Sequence, residues 1–285
     1  MTTPVIVSSA AQLRELTQSW REKGQSIGFV PTMGSLHEGH LALVEAAASE
    51  TDRVVVSIFV NPLQFGAGED FDRYPRSLTQ DALALSTTSA DAIFAPSVEE
   101  IYPDGLGATP TLSSGHVGLL FEGLSRPGHF DGMLTVVARL CDLVGPDRAY
   151  FGQKDAQQLF LIRHMVKQEG LPLEVVSVPT IRGVDRLALS SRNAFLSTEE
   201  HQRALAIPRA LEIARGCSSA DQARAQARSY VESAPGVEVD YLEIVDPETF
   251  EPCAPGTNPR EGLMIVAATI GATRLIDNQV LAFGQ

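Results

Sequence analysis

The 285-residue sequence predicts an α/β fold: a doubly wound parallel sheet with helices on both faces, followed by a smaller C-terminal α+β domain. Three observations predict it. Strand-like and helix-like stretches alternate over roughly the first 180 residues, the pattern of a parallel sheet built from crossover units. Some strand-like runs are apolar throughout instead of alternating, as strands buried on both faces are. After Ile181 the alternation stops, and two helical stretches precede a group of strands.

The elements follow in order. Ile27–Val30 is a short apolar run ended by Pro31. Leu41, Val44 and Ala48 then recur at helical spacing. Val54–Val60 is nearly continuous apolar sequence and predicts a buried strand. A helix is expected from Ser77 to Ser86, then a strand over Ala92–Ala95, stopped by Pro96. Leu134–Val144 predicts a helix, Arg148–Phe151 a strand, Ala156–Glu169 a helix and Leu173–Val178 a strand. The second domain begins near 182–188. It holds helices over Glu199–Arg215 and Ala220–Ser233, then strands over Val237–Val245, Leu263–Ile270 and Thr273–Ile276. Gly66–Phe71 and Pro103–Gly118 read as loops.

Composition narrows the function. The formal net charge is −13, and no cluster of Lys and Arg interrupts it, which disfavours a polyanionic partner such as nucleic acid. A small anion held by a few placed cations is compatible with that balance. The N-terminus carries neither a basic n-region nor a long apolar segment, so no signal peptide is expected. Cys141, Cys217 and Cys253 are odd in number and widely spaced, which fits free thiols in a reducing compartment.

The most informative stretch is Pro31-Thr-Met-Gly-Ser-Leu-His-Glu-Gly-His40, between an expected strand and an expected helix. Open α/β sheets place ligands there, beyond the carboxyl ends of their strands. Ser35 and Glu38 fit a capping box, which predicts a helix start. A helix start offers amides and a positive dipole end to phosphate. Gly34 and Gly39 would let the backbone approach a ligand, and His37 and His40 can donate hydrogen bonds to phosphate oxygens. Three other readings compete. One is a plain capped helix. A zinc site is another, but the histidines are spaced by three where the hydrolase signature needs four. A dinucleotide fingerprint is the third, and GxGxxG is absent here.

Further polar groups sit at expected strand ends. Asn61 and Gln64 follow the 54–60 run, where side-chain amides could bind a hydroxy-acid; an ordinary polar turn is the equal alternative. Gly152-Gln-Lys-Asp155 follows another strand and opens a helix, a phosphate- or ribose-binding turn with Lys154 as a point charge; a solvated surface lysine is the alternative. Ser190-Ser-Arg-Asn193 offers hydroxyls and a guanidinium suited to phosphate oxygens; a capped turn with a surface Arg is the alternative. Arg126 and His129 could assist an anion. Asp70, Asp72 and Asp81, with Arg73 and Arg76, read as a solvated acidic face, metal or interface contact being the alternative, with Tyr74 among them as a further candidate lining residue.

His37-Glu-Gly-His40 resembles the HxGH signature of the nucleotidyl-transferase superfamily that includes class I aminoacyl-tRNA synthetases. The longer string 31–40 resembles the pantothenate synthetase (pantoate–β-alanine ligase) family. Phe59-Val-Asn-Pro-Leu-Gln-Phe65, Ser125-Arg-Pro-Gly-His-Phe130, Phe151-Gly-Gln-Lys-Asp155 with Gln157-Gln158, and Leu189-Ser-Ser-Arg-Asn193 extend the match in family order.

The resemblance implies a Rossmann-like ATP- and pantoate-binding domain over 1–183 and a C-terminal lid over 184–285. It implies ATP contacts from Met33, Gly34, Ser35, Leu36, His37, Glu38, Gly39, His40, Gly152, Gln153, Lys154, Asp155, Ile181, Leu189, Ser190, Ser191 and Arg192. Gln64 and Gln158 then hold pantoate, with Gln64 also at the β-alanine site. His37, His40, Lys154 and Arg192 are the catalytic set, with His40 as proton donor. Mg2+ accompanies ATP with no dedicated protein metal site, and a cytoplasmic homodimer is expected. Two positions depart from the family: Arg186 stands where relatives commonly have Gly, and Asp131 where many have Arg. Three rivals remain: a related transferase acting on another small acid, a tRNA-charging enzyme, which the acidic composition disfavours, and a nucleotide-sensing module without catalysis.

Overall fold

The computed structural model describes residues 3–66, 71, 77–108, 112–257 and 259–283. Asp70, Asp72, Arg73, Tyr74 and Arg76 lie outside them. The chain divides into two compact units: Met1–Gln153 with Gln157–Pro179, and Lys154–Ala156 with Thr180–Gln285.

The first unit contains β1 (Val5–Val7), α1 (Ala10–Arg21), β2 (Ile27–Thr32), α2 (Glu38–Glu50), β3 (Arg53–Ile58), α3 (Leu78–Leu85) and β4 (Ala92–Phe94). After the single turns α4 (Val98–Ile101) and α5 (Glu122–Ser125) come α6 (His129–Val144), β5 (Arg148–Gly152), α7 (Ala156–Gln168) and β6 (Glu174–Val178). The six strands pair in parallel in the order β1-β4-β3-β2-β5-β6. From β2 the chain winds outward through β3 to β4, then returns to place β5 on the other side of β2. The winding therefore reverses between β2 and β5, where open α/β sheets bind ligands.

The strand sequences explain why both faces are covered. Phe29, Val55, Phe94 and Phe151 enter one apolar cluster with Leu13, Trp20, Leu140 and Ile162 of α1, α6 and α7. Their neighbours Val30, Val54, Val56, Ile93 and Tyr150 enter a second cluster with Val44, Ala47 and Leu85 of α2 and α3. With alternate side chains on opposite faces and both faces packed, the strands have no polar phase. Full burial of such a side chain stabilises the fold by about 1.5–3 kcal/mol.

Three features of this unit differ from expectation. β1 and α1 have no counterpart among the expected elements. Val5 and Ile6 are about half exposed, and the buried stripe of α1 is Leu13, Thr17 and Trp20, with a threonine between its two apolar residues. α6 starts at His129, five residues early, because Gly128 supplies a left-handed N-cap (φ 81°) in a stretch that resembles a loop. Within 103–118 two short 3-10 turns form, Leu106–Ala108 and Val117–Leu119.

The second unit contains α8 (Thr198–Ala204), α9 (Ala206–Arg215), α10 (Ala220–Ser233) and the antiparallel strands β7 (Val237–Val245), β8 (Glu261–Ile270) and β9 (Thr273–Ala282), ordered β7-β8-β9. Ala204, Ile207, Leu211, Ala223, Val231, Leu242, Met264 and Val266 are among its core residues. The single helix expected over 199–215 is interrupted at Leu205. Pro208 has no N–H to give the Ala204 carbonyl, and its ring crowds that oxygen. β9 runs six residues past Ile276, because the polar Asp277 and Asn278 are buried within it. No helix among the described residues is long and apolar enough to cross a membrane.

Candidate functional site

The 33–40 turn is shaped by side chains of the first unit. Thr32 Oγ1 donates to the Ser57 carbonyl at 2.7 Å and accepts from the Gly34 amide at 3.2 Å. Gly34 and Ser35 are both left-handed, with φ of 83° and 53°. That bend aims the next two amides at Asp81 on α3, whose carboxylate accepts from Ser35 N at 3.1 Å and Leu36 N at 2.8 Å. Asp81 is 4% exposed. It is not part of a solvated face, as its neighbours suggested, but a buried clamp on the turn.

The helix cap also differs from expectation. Ser35 does not cap α2, since its left-handed backbone leads away from the helix. His37 is the N-cap: its Nδ1 accepts from the Gly39 amide at 3.1 Å, and His40 Nδ1 accepts from the His37 amide at 3.3 Å. Both glycines answer to the chain itself. A Cβ on Gly34 would lie 2.8 Å from Asp81 Oδ2, and one on Gly39 would lie 2.8 Å from the His37 ring.

These bonds redefine how the turn can meet an anion. The amides of Ser35, Leu36 and Gly39 already donate to side chains, so they are not the phosphate cradle a bare helix start would provide. A ring whose Nδ1 accepts a backbone N–H carries its proton on Nε2 when neutral. His37 and His40 therefore both have Nε2–H donors, with ring centroids 4.1 Å apart. Two such donors three residues apart at the helix start are compatible with an anion that gains charge during a reaction.

Gln64 joins this turn. Its Nε2 lies 2.8 Å from Met33 Sδ, and the residue is buried. Its backbone carbonyl accepts from His129 Nδ1 at 2.8 Å, while Arg126 donates to His129 Nε2 at 3.1 Å. His129 and Arg126 thus hold the Gln64 main chain. Asn61, offered above as a second hydroxy-acid ligand, is structural. Its Oδ1 accepts from Leu63 N and Tyr102 Oη, and its Nδ2 donates to Gly132 O and Gln64 Oε1. Gly132 permits that approach, since a Cβ there would lie 2.0 Å from the Leu63 carbonyl. Asp131 accepts from the amide and hydroxyl of Ser114 at 2.8 and 2.6 Å, so its charge anchors the preceding loop.

Gly152 and Gln153 lie at the carboxyl end of β5, where the Gln153 amide donates to Val178 O at 2.8 Å. Gln157 is consumed by bonds to Glu122 N, Val117 O and Leu120 O, whereas the half-buried Gln158 in the first turn of α7 is not so engaged.

The second unit carries Lys154, Asp155, Ile181 and Leu189–Arg192. Ile181 and Leu189 close a small hairpin, with Leu189 N donating to Ile181 O at 2.9 Å and Gly183 N to Leu187 O at 2.9 Å. Ser190 caps the 3-10 turn Ser191–Phe195, accepting from Arg192 N at 3.3 Å. The expected cap of this segment is present, and it leaves the Ser190 hydroxyl proton able to donate. Arg186 sits at the hairpin tip with φ 75°, a conformation glycine adopts without strain. Its backbone bonds to Gly183 and Arg182 would survive loss of the side chain. Arg186→Gly is expected to stabilise the protein by about 1 kcal/mol, read as a rise in denaturation midpoint; an unchanged or lower midpoint contradicts the strain. Burial raises the thiol of Cys141 to about 12 and raises those of Cys217 and Cys253, so none is set up as a nucleophile.

Sequence reasoning misread Asp81 as solvated, and missed the Met33–Gln64 contact and the carboxyl-terminal Asp277 and Asn278 described below. Each partner lies tens of residues away, and no local pattern marks it.

Comparison with known proteins places the chain. The family model described as Pantoate-beta-alanine ligase matches residues 5–280. A pantothenate synthetase from Nocardioides sp. is 49% identical, covering 99% of this chain and 86% of its own length. One from Thermus thermophilus is also 49% identical, covering 95% and 97%. A crystal structure of pantothenate synthetase from Thermus thermophilus superposes with a TM-score of 0.89 at 47% identity, over 96% of this chain and 98% of that one. Pantoate-beta-alanine ligase from Francisella tularensis, complexed with beta-gamma ATP and beta-alanine, gives 0.79 at 36% identity, over 97% of each chain. With the model spanning nearly the whole sequence and relatives near half identity, the chain belongs to the pantoate–β-alanine ligase family.

Proposed function

We propose that the chain condenses pantoate with β-alanine, cleaving ATP to AMP and pyrophosphate, through a pantoyl-adenylate. Family membership supports this reaction. The observation that carries it to particular residues is the contact between Gln64 and Met33, which sets a candidate acid-binding amide beside the HxGH turn at the switch point of the sheet.

The pantoate carboxylate attacks the α-phosphorus and pyrophosphate leaves. The β-alanine amine then attacks the activated carbonyl and AMP leaves. Oxide is a poor leaving group and AMP a good one, so adenylation makes the acid an acyl donor. The protein's task is positioning and charge stabilisation. His37 and His40 give Nε2–H to phosphate oxygens, and His40 can also deliver a proton. Lys154 and Arg192 supply positive charge. Met33–His40, Gly152–Asp155, Ile181 and Leu189–Arg192 contact ATP. Gln64 and Gln158 hold pantoate, and Gln64 borders the β-alanine site. The C-terminal domain over 184–285 acts as a lid.

ATP enters as its Mg2+ complex, the ion being held by phosphate oxygens and water. Imidazole N–H groups and cations suit a substrate that brings its own metal. Among the described residues, no group of three or more His, Cys, Asp and Glu could hold an ion. A cytoplasmic homodimer accords with the family resemblance.

The test is ATP–pyrophosphate exchange. Exchange is expected to require pantoate and to proceed without β-alanine. Exchange that needs β-alanine, or that ignores pantoate, overturns the order. A panel of small carboxylic acids in the same assay identifies the acid.

A further inference from the structure

β9 reaches two separate parts of the proposed ATP grip. Asn278 Nδ2 donates to the main-chain carbonyl of Lys154 at 2.8 Å. Asp277, the preceding residue, takes Arg182 bidentately at 2.6 and 2.9 Å. Arg182 also donates to the carbonyls of Arg186 at 3.1 Å and Asn278 at 3.3 Å. Arg182 lies in the first strand of the hairpin whose second strand, ending at Leu189, leads directly into Ser190–Arg192. The Asp277 side chain is 1% exposed, and its Oδ1 also accepts from the Asn278 amide at 2.8 Å. Lys154–Ala156 clusters with 180–285 and not with the strand and helix that flank it in sequence.

The geometry points to Asn278 and Asp277 as positioning residues for ATP: Asn278 sets the Lys154 turn, and Asp277, through Arg182, sets the hairpin that delivers Ser190–Arg192. This rests on the ATP-binding roles proposed above. A flexible lysine placed by its main chain and an arginine on a short loop would otherwise meet the triphosphate with freedom to lose. Fixing both to neighbouring residues of one strand keeps their spacing constant. A carboxylate buried this deeply needs its remaining hydrogen bonds satisfied, and Asp277 has them.

Asn278→Asp keeps the shape and removes the donor to Lys154. The full-length protein is titrated calorimetrically with Mg2+ and a non-hydrolysable ATP analogue, and separately with pantoate. Asn278→Asp is expected to weaken the ATP analogue about tenfold, the scale of one hydrogen bond, and pantoate less than twofold. In a Lys154→Ala background the same change is expected to cost less than twofold, because Asn278 acts through Lys154. Asn278→Ala should reproduce this pattern without adding a carboxylate beside Asp277. Equal weakening in both backgrounds, or unchanged analogue binding in both variants, overturns the inference. If the wild type binds the analogue but shows no pantoate-dependent exchange, the proposed reaction fails, and the binding comparison still decides the role of Asn278.

Discussion

His40→Ala is expected to lower pantoate-dependent ATP–pyrophosphate exchange by roughly a hundredfold or more, on the scale of losing one preorganised donor. His40 contributes in two ways. Its Nδ1 accepts the His37 amide, completing the cap of α2, and on the proposed function its Nε2–H goes to a phosphate oxygen. A cap alone stabilises by about 1 kcal/mol, too little for the expected loss of rate. His40→Asn separates the two effects. An asparagine oxygen can accept the His37 amide, so the denaturation midpoint should stay close to wild type. The Nε2 donor is gone, so exchange should remain near the alanine level. Exchange restored by asparagine would mean that His40 serves only as a cap. His37 has the same arrangement one turn earlier, with Gly39 as its partner, and its ring lies against that of His40. The two substitutions should therefore combine less than additively.

Much of the architecture can be read from residue order, for a physical reason. β2, β3 and β5 are buried on both faces, so their central residues, Ile27–Val30, Val54–Val56 and Ala149–Phe151, run without a polar alternation. β1 and α1 are poorer in such signal. Val5 and Ile6 are exposed, and α1 buries a threonine in its stripe. β9 looks shorter in sequence than it is, because Asp277 and Asn278 resemble a loop until Arg182, ninety-five residues earlier, neutralises the carboxylate. The site divides along the same line. The 33–40, 152–155 and 189–192 segments are continuous in sequence, so their residue types announce them. What sets their geometry comes from far away: Asp81 for the first segment and Asn278 for the second. The cap of the turn is misleading in sequence too, because Ser35 and Glu38 fit the spacing rule while the left-handed backbone at Ser35 rules it out.

Asp81→Ala is expected to damage both stability and chemistry. The carboxylate is buried and receives the Ser35 and Leu36 amides, which sit within a bend of two consecutive left-handed residues. Removing it leaves two partly buried N–H groups without an acceptor, each costing about 1–3 kcal/mol. A loss of about 2–4 kcal/mol is expected in denaturant unfolding, at the upper end of single substitutions. Left-handed backbone at a non-glycine residue persists only where its surroundings enforce it. Without Asp81, Ser35 should relax, and the His37 ring should lose its set position at the start of α2. Exchange should then fall at least tenfold, with the His37 and His40 donors displaced and not deleted. Asp81→Asn sharpens the test. Its single amide oxygen can accept one of the two N–H groups while its NH2 opposes the other. It should therefore fall between wild type and alanine in both stability and exchange. If Asp81→Ala unfolds within 0.5 kcal/mol of wild type, the scale of an ordinary surface substitution, and exchanges pyrophosphate at the wild-type rate, the clamp is not what shapes the turn. The ordered series wild type, asparagine, alanine, in both measurements, is the signature of a buried acceptor that holds two amides. It would make a residue forty-one positions past His40 as necessary to the HxGH turn as its own histidines.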